Sequence, residues 1–194
     1  LQSSAASDVY KRQILMSEGS YIEPSDINIE SVFSEITDDI IIIKNETGLV
    51  YWPMFGINTI GDIQKGKGYQ AKVLENTILN ISGQLIPFNY EINLNNGWGI
   101  MAYLHTECNF APQMMSPIVE NLIILKDEDG SVYWPTFGLN TIGNLCPGEG
   151  YQYNLINSSV FNYPESGAAR YGDVYVERPV HFEEPSNTGN NMII

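Results

Sequence analysis

Positive charge is scarce in this sequence. Nine Lys and Arg stand against 23 Asp and Glu, a formal net charge of −14 over 194 residues. Such a surface repels a phosphate backbone, and no Lys/Arg cluster offers counterion release, so nucleic acid is excluded as a partner. Long apolar runs are missing too. The run Ile40 to Ile43 falls far short of the ~18 residues that a spanning helix requires, so membrane insertion is not expected. Only two histidines occur, His105 and His181, in different segments and without metal-ligand spacing. The GxSxG, Walker and GxGxxG patterns are absent, and Gly66-Lys67-Gly68 is too short to cradle a phosphate. A nucleophilic pairing of Cys108 with His105 is conceivable, but such i+3 neighbours at a strand end are usually incidental. The chain is therefore expected to be no enzyme and to need no cofactor.

Charged residues make up 16% of the chain, below the usual value of about 25%, so solubility rests on uncharged polar side chains and net negative charge. There are two cysteines, Cys108 and Cys146. An oxidising compartment would allow them to bridge, and otherwise they are two ordinary thiols; their spacing does not decide between the two.

What is present is a repeat. Residues 38–73 align without a gap on 120–155, with 19 of 36 positions identical. The strongest stretch is YWPMFGINTIG, Tyr51 to Gly61, against YWPTFGLNTIG, Tyr133 to Gly143, followed by GKGYQ against GEGYQ. The offset of 82 also pairs Tyr21 with Tyr103 and Ile36 with Ile118, and it sets Cys108 and Cys146 opposite Asp26 and Gln64. Self-similarity of this kind marks a duplicated unit.

Within one copy, Ile29, Val32, Phe33 and Ile36 fall at i, i+3, i+4 and i+7, predicting a short helix over Ile29 to Thr37 capped by Asp26 or Asn28. In the second copy Pro112 and Pro117 shorten or break the matching segment. The β-branched run Ile40 to Lys44 reads as a strand buried on both faces. Asn45-Glu46-Thr47-Gly48 has turn chemistry, and Leu49 to Trp52 returns as the second arm of a hairpin. Leu122 to Lys126, the turn Asp127 to Gly130 and Ser131 to Trp134 repeat it. Pro53 and Pro135 end the second arm, because proline has no N–H for the ladder. Tyr69 to Leu74 is a strand with alternating faces, and Thr77 to Ile81 is expected to pair back as a last strand. Gly97 to Leu104 opens the second copy, and its equivalent falls near Leu15 to Ser20. The expected fold class is α+β, mainly β: two tandem copies of a β-α-β-β-β-β module, mostly antiparallel, with one short helix each. Units of this size hold small cores, so the copies should pack side by side.

The ends read differently. SSAASDVYKRQ, Ser3 to Gln13, resembles codon for codon the translation of a transposon-based sequencing adapter, so residues 1–13 are set aside from the fold. They carry Asp8, Lys11 and Arg12, so the remainder stands at −15. The expected organisation is 14–86 as the first module, 87–165 as the second, and 166–194 as a linker with the truncated start of a further β domain.

The GWN-like opening strand, the YWPxFGxNTIG stretch and the GxGYQ strand together resemble a module repeated in large secreted and cell-surface bacterial proteins, many of them type IX secretion substrates. The likeness covers about residues 14–164; at Gly97-Trp98-Gly99 the third motif residue is Gly instead of Asn. It implies a non-enzymatic, extracellular spacer, display or adhesion element. Its partners would be other domains of the same polypeptide and extracellular glycans or surface proteins.

Two sets of residues are candidates for binding. Tyr51, Trp52, Phe55 and Tyr69, with Tyr133, Trp134, Phe137 and Tyr151, offer rings on which pyranoses could stack, and Asn58 and Asn140 offer hydrogen bonds. This is the alternative reading, a carbohydrate-binding module appended to other domains. Against it, neighbouring strand residues point to opposite faces, which sends one of each Tyr-Trp pair into the core. Asp127 and Asp129, in Asp127-Glu128-Asp129-Gly130, resemble the start of a calcium loop but lack the distal bidentate Glu. A solvated hairpin turn outweighs a calcium site there.

Overall fold

The computed structural model describes residues 13–16, by backbone only, together with 21–74 and 77–166. Most of the adapter-like segment, His181 and the expected further domain lie outside the described residues.

The chain is mainly β, with antiparallel pairing throughout the described strands. The first half contains β1 (Gln13–Met16), β2 (Ile22–Pro24), α1 (Ile29–Val32), β3 (Ile40–Lys44), β4 (Val50–Trp52), β5 (Ile57–Asn58), β6 (Tyr69–Val73) and β7 (Gly83–Leu85). The second half contains β8 (Ile92–Leu94), β9 (Gly97–Ala102), β10 (Asn109–Phe110), α2 (Ala111–Met114), β11 (Leu122–Lys126), β12 (Val132–Trp134), β13 (Leu139–Asn140), β14 (Asn144–Leu145), β15 (Gly150–Leu155) and β16 (Ser159–Phe161). Two five-stranded sheets dominate, in the orders β1-β6-β3-β4-β5 and β9-β15-β11-β12-β13.

Pairings recur 82 residues on. Ile43 faces Tyr51 and Ala71, as Leu125 faces Tyr133 and Tyr153. The register slips between Ile40 and Ile42, and again between Leu122 and Ile124. That bulge changes the expected strand: Ile40 and Ile43 are buried, whereas Ile41 and Ile42 are only half-buried. In both hairpins an Asx side chain at the same position closes the turn. Asn45 Oδ1 accepts from the N–H groups of Thr47 and Leu49 at 3.0 and 2.8 Å, and Asp127 Oδ1 accepts from Ser131 N–H at 2.7 Å.

The expected single helix is two pieces. Asn28 caps α1, its side chain accepting from Glu30 N–H, and Phe33 ends it; a 3-10 segment, Ser34–Asp39, follows with non-helical angles at Ile36. In the second copy, with Pro112 at its start, α2 has four residues, and a 3-10 turn, Ser116–Ile118, follows it. The strand expected at Thr77 to Ile81 does not form, and Ile78 is 79% exposed. The reason is the partner. In the second copy the matching residues make β16, which pairs with β8; the residues 82 before β8 are 10–12, in the adapter-like segment. The opening strand also departs from expectation. Met16 faces Tyr69 whereas Met101 faces Tyr151, so β1 stands three residues earlier than the repeat requires. The first copy has no Gly-Trp-Gly to set the register there.

Buried side chains form two clusters, one between Ile29 and Ala71 and one between Ile86 and Tyr163. The second is rich in tyrosine, and each fully buried ring keeps its hydroxyl satisfied, as burial demands. Tyr103 donates to Glu107 O and accepts from Asn109 Nδ2, and Tyr163 donates to Ala102 O. Burial pushes the Tyr103 hydroxyl up to about 12 and raises that of Tyr163 well above its ordinary value.

Cys108 and Cys146 are joined as a disulfide. They flank the β10–β14 ladder, where Asn109 faces Leu145, so the bridge continues the ladder by one covalent rung. The first copy has only the isolated Asn28–Asp62 bridge at the matching place, with Asp26 and Gln64 where the cysteines would be.

Candidate functional site

The YWP corners come first, because they carry the sequence-based binding residues. Tyr51 and Tyr133 are 5% and 7% exposed and belong to the core. Trp52 and Trp134 are half-buried, and each meets a phenylalanine edge-on: Trp52 with Phe55 at 4.6 Å, Trp134 with Phe137 at 4.7 Å. The phenylalanines are exposed, at 61% and 71%. Proline opens a 3-10 turn after each tryptophan, and Gly56 and Gly138, both at φ 61°, take the left-handed position that ends it. Asn58 and Asn140 are spent locally. Their side-chain oxygens accept from Gly61 and Gly143 N–H at 2.9 and 3.0 Å, while their amides donate to Glu30 Oε1 and Gly143 O. The asparagines therefore hold the FGxNTIG loop and present little to a ligand.

Tyr69 and Tyr151 are equally committed. Their hydroxyls accept from the N–H groups of Gln64 and Cys146 at 2.9 and 2.8 Å, and Tyr151 also donates to the Glu149 carboxylate. Asp127 is 4% exposed and occupied by its hairpin, and among the described residues no group of three His, Cys, Asp or Glu could hold a metal ion. Cys108 has no thiol to offer. His105 is buried, stacks on Phe88 at 4.8 Å and donates from Nε2 to the Pro164 carbonyl at 3.0 Å. Burial lowers its pKa, and the bond to Pro164 partly offsets that.

A polar network lies elsewhere, where the two copies meet. Gly66-Lys67-Gly68 of the first copy lies along β9 of the second. Gly68 N–H donates to Ile100 O and Ala102 N–H donates to Gly66 O, both at 3.0 Å. A Cβ at Gly68 would stand 2.5 Å from Ile100 Cγ2, so glycine is what allows the approach. Over this contact, Lys67 Nζ donates to Glu46 Oε1 at 2.8 Å and to Asn93 O at 2.9 Å. Glu46 Oε2 also accepts from Ile100 N–H at 3.3 Å and from the Tyr153 hydroxyl at 3.4 Å, while Asn95 N–H donates to the same hydroxyl at 3.1 Å.

A cleft of about 220 Å³ opens beside this seam, with Trp98 on one wall and Gln70 and Gln152 on the strands beneath. Sequence reasoning missed it. Gln70 and Gln152 share a repeat position between buried neighbours, a readable signal, but that the first hairpin overhangs the second sheet is a tertiary fact.

No protein-family model, no curated protein and no solved structure matches this chain. Among the described residues no helix is long and apolar enough to cross a membrane.

Proposed function

We propose that this chain is a non-enzymatic extracellular spacer or display element, in which two β modules are held at a fixed angle within a larger secreted protein. The seam carries the reading. A joint made of backbone pairing and a largely buried ion pair resists bending, whereas a flexible linker leaves modules to reorient. The disulfide is compatible with an oxidising compartment, and the likeness to repeat modules of secreted bacterial proteins points the same way. The YWP corners act here as anchors that fix a loop.

Small-angle X-ray scattering of the full chain, alongside urea unfolding, tests this. The expected result is a profile fitted by one rigid arrangement of the two modules and one cooperative transition. A profile that needs an ensemble of inter-module angles, with two independent transitions, would overturn the reading.

A further inference from the structure

We infer that the seam cleft is a binding site for a single uncharged pyranose ring of a glycan, with Trp98 as the stacking surface. This goes beyond the spacer role and rests on the same locked seam.

Trp98 is 55% exposed on β9, whereas the other two tryptophans, Trp52 and Trp134, are half-buried. Flat aromatic faces suit the C–H faces of pyranoses, and a ring standing at the wall of a cleft needs an occupant more than one lying on an open surface does. Lys126 Nζ lies 5.9 Å from the Trp98 ring centre and has no carboxylate partner among the described residues. It supplies a charged donor beside the platform. The floor is amide. Gln152 pairs in register with Lys126 on one side and Ile100 on the other, and Gln70 reaches the same cleft from the first module. Neither glutamine side chain has a hydrogen-bond partner among the described residues. Two half-buried amides, each with donors and an acceptor, match the paired donor-acceptor character of vicinal hydroxyls.

The surroundings define the class. Glu46 walls the cleft, but its carboxylate is filled by Lys67, Asn95, Ile100 and Tyr153, so it positions the wall and offers no general base. About 220 Å³ is below the 300–1,000 Å³ common for drug-sized ligands, which limits the occupant to one ring. The net charge of −14 disfavours polyanionic glycans. Because the cleft draws on both copies, it exists only when they are locked together.

The test is an NMR titration of the full chain with neutral gluco-, manno- and galacto-oligosaccharides, following the Trp98 indole signal. One sugar of the panel should give a saturable shift with a Kd on the order of 1 mM. Trp98→Ala should weaken binding at least about tenfold, Gln70→Ala and Gln152→Ala each by about threefold, and Trp52→Ala should leave it unchanged. Amide spectra confirm that each variant is folded, and the two glutamine variants read the same cleft if Trp98→Ala is not. No saturable shift with any sugar up to about 20 mM would overturn the proposal. So would binding that survives Trp98→Ala, or that disappears in Trp52→Ala.

Discussion

Lys67 and Glu46 meet at 2.8 Å with side chains only 15% and 12% exposed, and the second copy completes their hydrogen bonding through Asn93, Asn95, Ile100 and Tyr153. Two residues of one module thus reach full satisfaction only in the presence of the other. That is thermodynamic coupling, because separating the modules strands a charge pair and several polar partners at once.

Glu46→Ala should therefore cost more than a surface ion pair would. It leaves the Lys67 ammonium in a largely buried place without its partner, with an expected loss of about 2–3 kcal/mol. Urea unfolding followed by amide exchange is the measurement. The single transition should separate into two, with protection lost first along β9 and around residues 66–68. A loss under about 0.5 kcal/mol, the range of an exposed pair, would show that the seam is not held by these charges.

The disulfide makes a second prediction. It closes a loop of 38 residues, for which chain-entropy reasoning gives about 4 kcal/mol of stabilisation. The Cys108→Ser/Cys146→Ser double variant should lose about that much, still in one transition. Because the seam couples the modules, amide protection should fall around Leu145 and Tyr151 and along the β3–β6 pairing of the first module alike. A loss confined to the second module would mean that the two modules unfold independently.

Why some of this was legible in the sequence and some was not follows from the range of each interaction. The hairpins were readable because turn chemistry and proline stops act within a few residues: Asn45, Gly48 and Pro53 each do locally what their chemistry requires. The helix was overdrawn, since the apolar spacing of Ile29, Val32, Phe33 and Ile36 was real, but Phe33 already leaves helical geometry and Ile36 is kinked. The absent strand at Thr77 to Ile81 failed for a non-local reason, its lack of a partner. Of the aromatic candidates, the four tyrosines Tyr51, Tyr69, Tyr133 and Tyr151 are buried in packing and Trp52 and Trp134 are half-buried. Trp98 was passed over because an isolated Trp between glycines shows nothing of the hairpin that stands over it.

His105 provides a pH test with a definite sign. Its folded pKa lies below the ordinary 6.5, chiefly because burial penalises the imidazolium, so the unfolded chain binds the proton more readily. The stability it contributes is complete above about pH 6.5 and is lost as pH falls through that value toward the lower folded pKa. Between pH 7.5 and 5.5 the wild type should lose more stability than His105→Gln, whose amide can still donate to the Pro164 carbonyl but does not titrate. Paired urea midpoints at the two pH values measure the difference. Identical pH dependence in the two proteins would remove His105 as the source.

Gly99 offers the sharpest steric test of the seam. A Cβ there would lie 2.2 Å from the Tyr153 ring and hydroxyl and 2.7 Å from Glu46 Oε2. Tyr153 is fully buried and its hydroxyl is fixed by Asn95 and Glu46, so the ring cannot retreat without breaking those bonds. Overpacking of this kind costs about 1–3 kcal/mol, and Gly99→Ala should fall at the upper end because two constrained groups are struck together. Gly97 is the control of opposite character: a Cβ there meets nothing within 4 Å, and its φ of 76° alone should make Gly97→Ala costly by about 1 kcal/mol. Thermal unfolding separates the two causes when each variant is combined with Tyr153→Leu, which removes both the ring carbon and the hydroxyl that the Cβ would strike. Relief of the Gly99→Ala defect but not of the Gly97→Ala defect is the expected outcome. Equal behaviour of the two double variants would mean that backbone strain, and not the crowding of Tyr153 and Glu46, is why glycine stands at position 99.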